Sequence, residues 1–477
     1  MMCPVWKPLW MRKASGNTRP GDRENHPTIT PTAWETLKMR LTMPMLVALT
    51  LTLPLQAGNW PQFRGPNFNG SANEESLPAS WSTTENVAWK VTLPGPSAAT
   101  PAIWGDHVFV STTNTEKETL QAACFHLGTG KLLWQHTIAS GLRRASRSNF
   151  ASPSPATDGK VVIFFYGNGD LVAYDFDGKE QWKRNIQKDY GWFHFGWTFS
   201  TSPVLFNGKL YLQVLQRDVP VRENESDGKN HDSFILAMDP ASGKELFRHV
   251  RPSKAKAESR EAFTTPTPVS FSSGRQELLV VGGDAISGHD LETGAELWRW
   301  GTWNPKRIGH WRLVPSPVAS EDVVLVCAPK REPIYAIKTG GKGTLTDSSI
   351  AWTSKGVSGV TSDVPTPAFY QNDFFVLYGT NRGRPALTRV NPKTGDVKWS
   401  TPVSRGSKYE ASPLAADGKI YLVNFEGKVT VVNAEDGKIL SEISMDKDGT
   451  DLNRSTIVAA AGRLFVRTNT QLYCIGK

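Results

Sequence analysis

Apolar and polar positions along this 477-residue chain alternate in short runs, without helical spacing. Typical runs are VVIFFY (161–166), LYLQVL (210–215) and IYLVNF (420–425), each rich in β-branched or aromatic side chains. Each follows a turn sequence: TDGK (157–160), FNGK (206–209) or ADGK (416–419). A further apolar run comes next, as in LVAYD (171–175), FILAMD (234–239) and VTVVN (429–433), then a glycine-bearing turn and a last stretch that ends in an aromatic. This order predicts antiparallel hairpins of short strands.

The pattern repeats. A Ser/Thr-Pro pair opens the units at Thr100, Ser154, Ser202, Thr267, Ser316, Thr366 and Ser412, and Ser455-Thr456-Ile457 stands in that place in an eighth. Most spacings run from 44 to 54 residues, and one of 65 carries a polar insertion at 216–232. Four strands per period of this length predict a β-propeller blade. The C-terminal unit lacks a fourth strand, and NVAWKVTL (86–93) reads as an orphan one. Pairing the two predicts an all-β, eight-bladed propeller of four-stranded antiparallel blades, closed by the N-terminal strand.

Within each unit the glycine supplies a left-handed turn between third and fourth strands. The preceding Asp175, Asp239, Asp290, Asn391 or Asn433 suits an Asx cap. The aromatics Trp134, Trp182, Phe247, Trp298, Trp352 and Trp399 are expected to pack between blades. Cys124 and Cys474 share a register with Ala173, Ala237 and Ala336, so they read as small buried residues. No C-x-x-C, metal-spaced histidine pair, nucleophile elbow or phosphate loop occurs.

Upstream, Met39 and Arg40 precede an apolar run, Leu41–Leu55, that ends in Gln56-Ala57. This is the layout of a secretory signal, and it is short for a membrane span. The expected division is 1–38 as an over-called extension, 39–57 as signal peptide, 58–85 as an N-terminal segment and 86–477 as propeller. The net charge is +9; residues 1–57 hold seven Lys/Arg and three Asp/Glu, so the remainder carries +9 − 4 = +5. No dense basic stripe is present, which argues against nucleic acid as a partner.

The loops that enter the innermost strands should gather at one mouth of the channel. They and two aromatic segments, 190–200 and 298–312, supply the ligand-binding candidates: Asn149, Phe150, His194, Trp197, Glu261, His310, Trp311, Arg312, Asp363, Tyr409, Glu410, Asn453 and Arg454. The same aromatics could instead plug the channel. The acids could take Ca²⁺ or pair with arginines.

The phrases MDPASGKELF, HDLETGAELW and VNPKTGDVKW resemble the tryptophan-docking repeat of the PQQ-like propeller family, and NWPQFRGPNFNG (59–70) resembles the mature N-terminus of its secreted bacterial members. The resemblance spans about 59–477. It implies kinship with quinoprotein dehydrogenases and with the non-catalytic assembly factor of the outer-membrane β-barrel machinery. The adjacent Cys-Cys pair of the quinoprotein alcohol dehydrogenases is missing. Asn149, Glu261 and Asp363 are only positional candidates for that family's Ca²⁺ ligands and catalytic base. The expectation is a secreted or periplasmic, monomeric binding or scaffold module that meets a protein or glycan at the rim, with no cofactor assigned. The alternative is a PQQ- and Ca²⁺-dependent dehydrogenase with a degenerate site.

Overall fold

The computed structural model of the chain describes residues 58–143, 148–221, 227–356, 359–379, 384–405, 407–445 and 452–476. The expectations for residues 1–57 lie outside these. Eight antiparallel sheets form the blades, the first seven with their four blade strands in sequence order from the channel outward. Blades one to seven span 102–140, 156–185, 204–250, 267–300, 318–353, 368–402 and 414–444. Blade eight takes three strands from 458–475 and its outermost strand from Val87–Thr92, which runs antiparallel to Gln471–Ile475. The ring is therefore closed by the N-terminal strand, as the repeat count predicts.

The glycine-to-tryptophan phrase joins neighbouring blades. The indole Nε1 of Trp89 donates to Leu127 O (2.7 Å), Trp134 to Phe176 O (2.9 Å), Trp182 to Pro240 O (2.9 Å), Trp352 to Pro392 O (2.7 Å) and Trp399 to Glu435 O (3.0 Å). Each carbonyl belongs to the turn of the next blade. The indole lies over that turn's glycine, so a Cβ at Gly130 would come within 2.7 Å of Trp89. Gly130 also has φ +69°, so both conformation and contact require glycine. Opposite Trp89, Trp134, Trp182, Phe247 and Trp352 on the third strand stand Cys474, Cys124, Ala173, Ala237 and Ala336, whereas Trp399 faces Arg389. A small side chain there leaves room for the ring. The Asx caps form as expected: Asp290 Oδ1 accepts from the Glu292 and Thr293 amides, and Asn433 Oδ1 from Glu435 and Asp436.

Three blades depart from the pattern. Blade four opens at Thr265-Pro266, two residues before the Thr267-Pro268 expected from spacing, because Thr265 is the residue that bonds its neighbours in the register of Ser202 and Ser316. Blade five has a stretched third turn whose Gly343-Thr344 adds a parallel strand to blade four beside Trp298. Blade seven carries Ser441 where an aromatic is expected, and Trp81 from outside the repeat packs on Tyr421 and donates to Met445 Sδ.

Residues 58–85 are woven into the propeller. Ile103 of blade one pairs with Trp60, Thr157 of blade two donates to Pro61 O, and Leu205 of blade three exchanges bonds with the Gln62 amide. Arg64 then reaches across, donating to Pro413 O (3.0 Å) and Pro367 O (2.7 Å) of blades seven and six. Ala72 pairs with Ala415, and Glu74 accepts from Gly462 of blade eight. The segment thus crosses the channel floor. Burial pulls the Arg64 guanidinium down to about 9, and carbonyl oxygens supply its hydrogen bonds.

Candidate functional site

The channel wall is built from two stacked rings with one residue per blade in each. The lower ring is the Ser/Thr that precedes proline. From Thr100 to Ser412, each backbone amide donates to the hydroxyl of the next blade's equivalent residue, in six bonds of 2.9–3.3 Å. Ser455 Oγ donates to Ala99 O and ties blade eight to blade one. Proline suits this place because it opens the strand, where no ladder amide is needed.

Two residues earlier on each extended entry lies the upper ring: Ala98, Ser152, Ser200, Phe263, Val314, Val364, Glu410 and Arg454. A spacing of two in extended backbone returns the side chain to the same face. These rings enclose a cavity of about 180 Å³, with Phe63 contributed by the N-terminal segment and Trp197 and Arg312 from the rim. The charges in it are paired. Arg454 Nε binds Glu410 Oε2 at 2.8 Å and stacks over Phe425. Arg312 lies 3.5 Å from Glu258 Oε1 and over the face of Trp197, whose Nε1 also bonds Glu258 (3.0 Å). A wider groove of about 860 Å³ lies against Phe68 and Asn69 of the floor, over blades four to six.

Of the sequence candidates, Trp197, Arg312, Glu410 and Arg454 meet at this cavity. The others do not reach it. Tyr409 is buried, its hydroxyl against Thr430, and burial pushes it up to about 12. Asn453 is buried beside Arg454, and Trp311 packs on the core of blades four and five. Phe150 joins the cluster between blades one and two, while His310 is exposed. Asn149 holds its own loop, bonding Pro96 O and the Ala151 amide. Glu261 is fully buried against Arg217 and the Gly196 amide; burial raises its carboxyl, and Arg217 partly offsets this. Asp363 accepts from the Lys330 amide. His194 is buried beside His231, and burial lowers its imidazole.

The aromatic segments also divide. Phe193, Phe195 and Phe199 form a cluster among themselves, and Trp298, Trp300 and Trp303 are buried core. Sequence reasoning missed Glu258, which sits in a short turn with no repeat signal, and Phe63. It used the Ser/Thr ring only to count blades.

The resemblance to quinoprotein dehydrogenases implies PQQ with Ca²⁺, an ion that takes six to eight oxygen ligands. The residues here do not fit that pair. Asn149, Glu261 and Asp363 are each committed to separate partners on separate loops, and the carboxylates of the mouth face arginines.

The family described as "Outer membrane protein assembly factor BamB" matches residues 74–211 and 282–477. Among solved structures, the chain is similar to BamB from Moraxella catarrhalis at TM-score 0.55 and 13% identity, over 82% of this chain and 99% of that one. A europium-containing methanol dehydrogenase gives TM-score 0.64 at 10% identity, over 88% and 98%. The quinohemoprotein alcohol dehydrogenase of Comamonas testosteroni gives 0.60 at 13%, over 88% and 81%. At these identities the likeness is one of fold. No curated protein matches the sequence.

Proposed function

This chain belongs to the BamB family of PQQ-like β-propellers, and on that footing we propose that it is a non-catalytic binding or scaffold module, exported to the periplasm or beyond. It works as a monomer and meets an extended protein segment or a glycan at the upper mouth. The observation that carries this reading is the pairing of the mouth's charges: Arg454 with Glu410, and Arg312 with Glu258 under the face of Trp197. Paired groups on a rigid scaffold offer hydrogen bonds and a stacking face, and they leave no poised acid or base. Export is supported by the apolar run at 41–55. Among the described residues, no helix is long and apolar enough to cross a membrane.

The test is a titration with PQQ, with and without Ca²⁺, that follows tryptophan emission, alongside dye reduction with alcohols and sugars. The reading expects a flat titration and no turnover. Saturable, Ca²⁺-dependent quenching with dye reduction would replace it by the quinoprotein dehydrogenase. For the binding role, immobilised chain should retain a partner that Trp197→Ala and Arg454→Ala release together. Retention unaffected by either change would move the interface off the mouth.

A further inference from the structure

Beside the mouth, the polar insertion of blade three returns to the loop that joins blades two and three. This contact brings His194, Asp227 and His231 together, with one donor atom from each lying within 4.8 Å of the others. Among the described residues it is the one such grouping of three His, Cys, Asp or Glu side chains. His231 Nε2 lies 3.0 Å from both Asp227 carboxylate oxygens. His194 is 1% exposed, and neither of its ring nitrogens has a hydrogen-bond partner. A buried imidazole with both nitrogens unsatisfied is costly unless something occupies it. Its ring centroid is 5.1 Å from that of His231.

The surroundings hold these donors in place. The His194 amide donates to Gln216 Oε1 (2.8 Å), and Gln216 Nε2 donates to Asp232 O (3.0 Å). One glutamine therefore fixes the histidine loop and both ends of the insertion. Gly191, with φ +101°, faces the His231 ring, and a Cβ there would collide with it. The glycine makes room for the imidazole.

We propose that His194, Asp227 and His231 form a binding site for a first-row divalent metal ion, of which Zn²⁺ is the representative, fastening the blade-three insertion to the rim. Two imidazoles and a carboxylate suit Zn²⁺ and its neighbours, whereas Ca²⁺ and Mg²⁺ prefer oxygen. Bonds of about 2.0–2.1 Å require the donors to close by an ångström or so from their present spread. Three protein ligands leave a position for water or for a donor from a partner.

The experiment uses the full, tag-free chain after treatment with a chelator. Zn²⁺ is titrated calorimetrically, and Co²⁺ is followed through its visible d–d bands. One equivalent should bind, with the strong absorption of four- or five-coordinate Co²⁺. His231→Ala and Asp227→Asn lie on the insertion and should leave the metal-free melting curve unchanged. Each should weaken Zn²⁺ by more than the roughly 10–100-fold that outer-shell changes cost. Gly191→Ala should weaken it as well by displacing the His231 ring. No binding, or one equivalent that survives both ligand substitutions, overturns the proposal.

Discussion

Replacing Trp89 by alanine tests how the ring is closed. Trp89 sits on the N-terminal strand that completes blade eight, is 8% exposed, and docks on the Gly130 turn of blade one. A buried tryptophan removes about 150–250 Å² from water, which at about 25 cal/mol/Å² corresponds to about 4–6 kcal/mol. A compact unfolded chain and the retained Cβ reduce this, so the expected loss is about 3–5 kcal/mol. Trp89→Phe keeps a ring over Gly130 and loses the bond to Leu127 O, so it should cost about 1–2 kcal/mol. Urea unfolding gives both values from the midpoint shift at shared m. Hydrogen exchange should show Gln471–Ile475, the partner strand, losing protection first. Equal costs for the two variants, or a loss below about 1 kcal/mol for alanine, would mean that the closure does not depend on this docking.

Arg64→Met should lower stability by about 3 kcal/mol, since it strips the Pro367 and Pro413 carbonyls of their donor; Arg64→Lys should not restore it, because one ammonium lacks the fork that spans two blades, and thermal melts decide. Ser202→Ala leaves the Ser154 amide without its acceptor and should cost about 1 kcal/mol in urea unfolding, with no change to the sheet signal in circular dichroism. Burial, assisted by the Arg251 charge, holds the His289 imidazole down to about 3, while its Nδ1 donates to Gly294 O. The unfolded chain takes up that proton near 6.5, so the stability His289 contributes is complete above about pH 6.5 and is lost as pH falls toward 3. His289→Gln should flatten that acid limb in pH-dependent melts, and an unchanged limb would assign it to other groups.

The fold could be read because its chemistry recurs. A left-handed glycine, an Asx cap and a docked aromatic each have few residue solutions, so Gly130, Asp290 and Trp352 announce the same turn in different blades. The mouth was harder to read because its lining follows a parity that spacing leaves open. Within Tyr409-Glu410 and Asn453-Arg454, the first residue turns into the blade and the second into the channel. Both members of each pair look equally suited to a site. Blade four added a second ambiguity: Thr265-Pro266 and Thr267-Pro268 both carry the mark, and only the bonds to Ser202 and Ser316 choose between them. Phe63 and Glu258 lie outside the repeat, so no periodic signal could point to them.

The paired mouth limits what can bind. Trp60–Glu74 is laid across the lower end, and Trp197 and both ion pairs stand at the loop face. An anionic ligand that takes the place of Glu410 on Arg454 breaks the pair, as does a cation that takes the place of Arg454 on Glu410. Either exchange leaves one half-buried charge without its partner, a cost of the order of several kcal/mol that a single new ion pair hardly recovers. A neutral ligand meets no such cost. It can stack on Trp197, take hydrogen bonds from the outer edges of the ion pairs and the hydroxyl of Ser200, and leave both pairs intact. Affinity at this mouth should therefore depend weakly on salt and strongly on Trp197, which is the behaviour of a sugar ring or an uncharged peptide backbone.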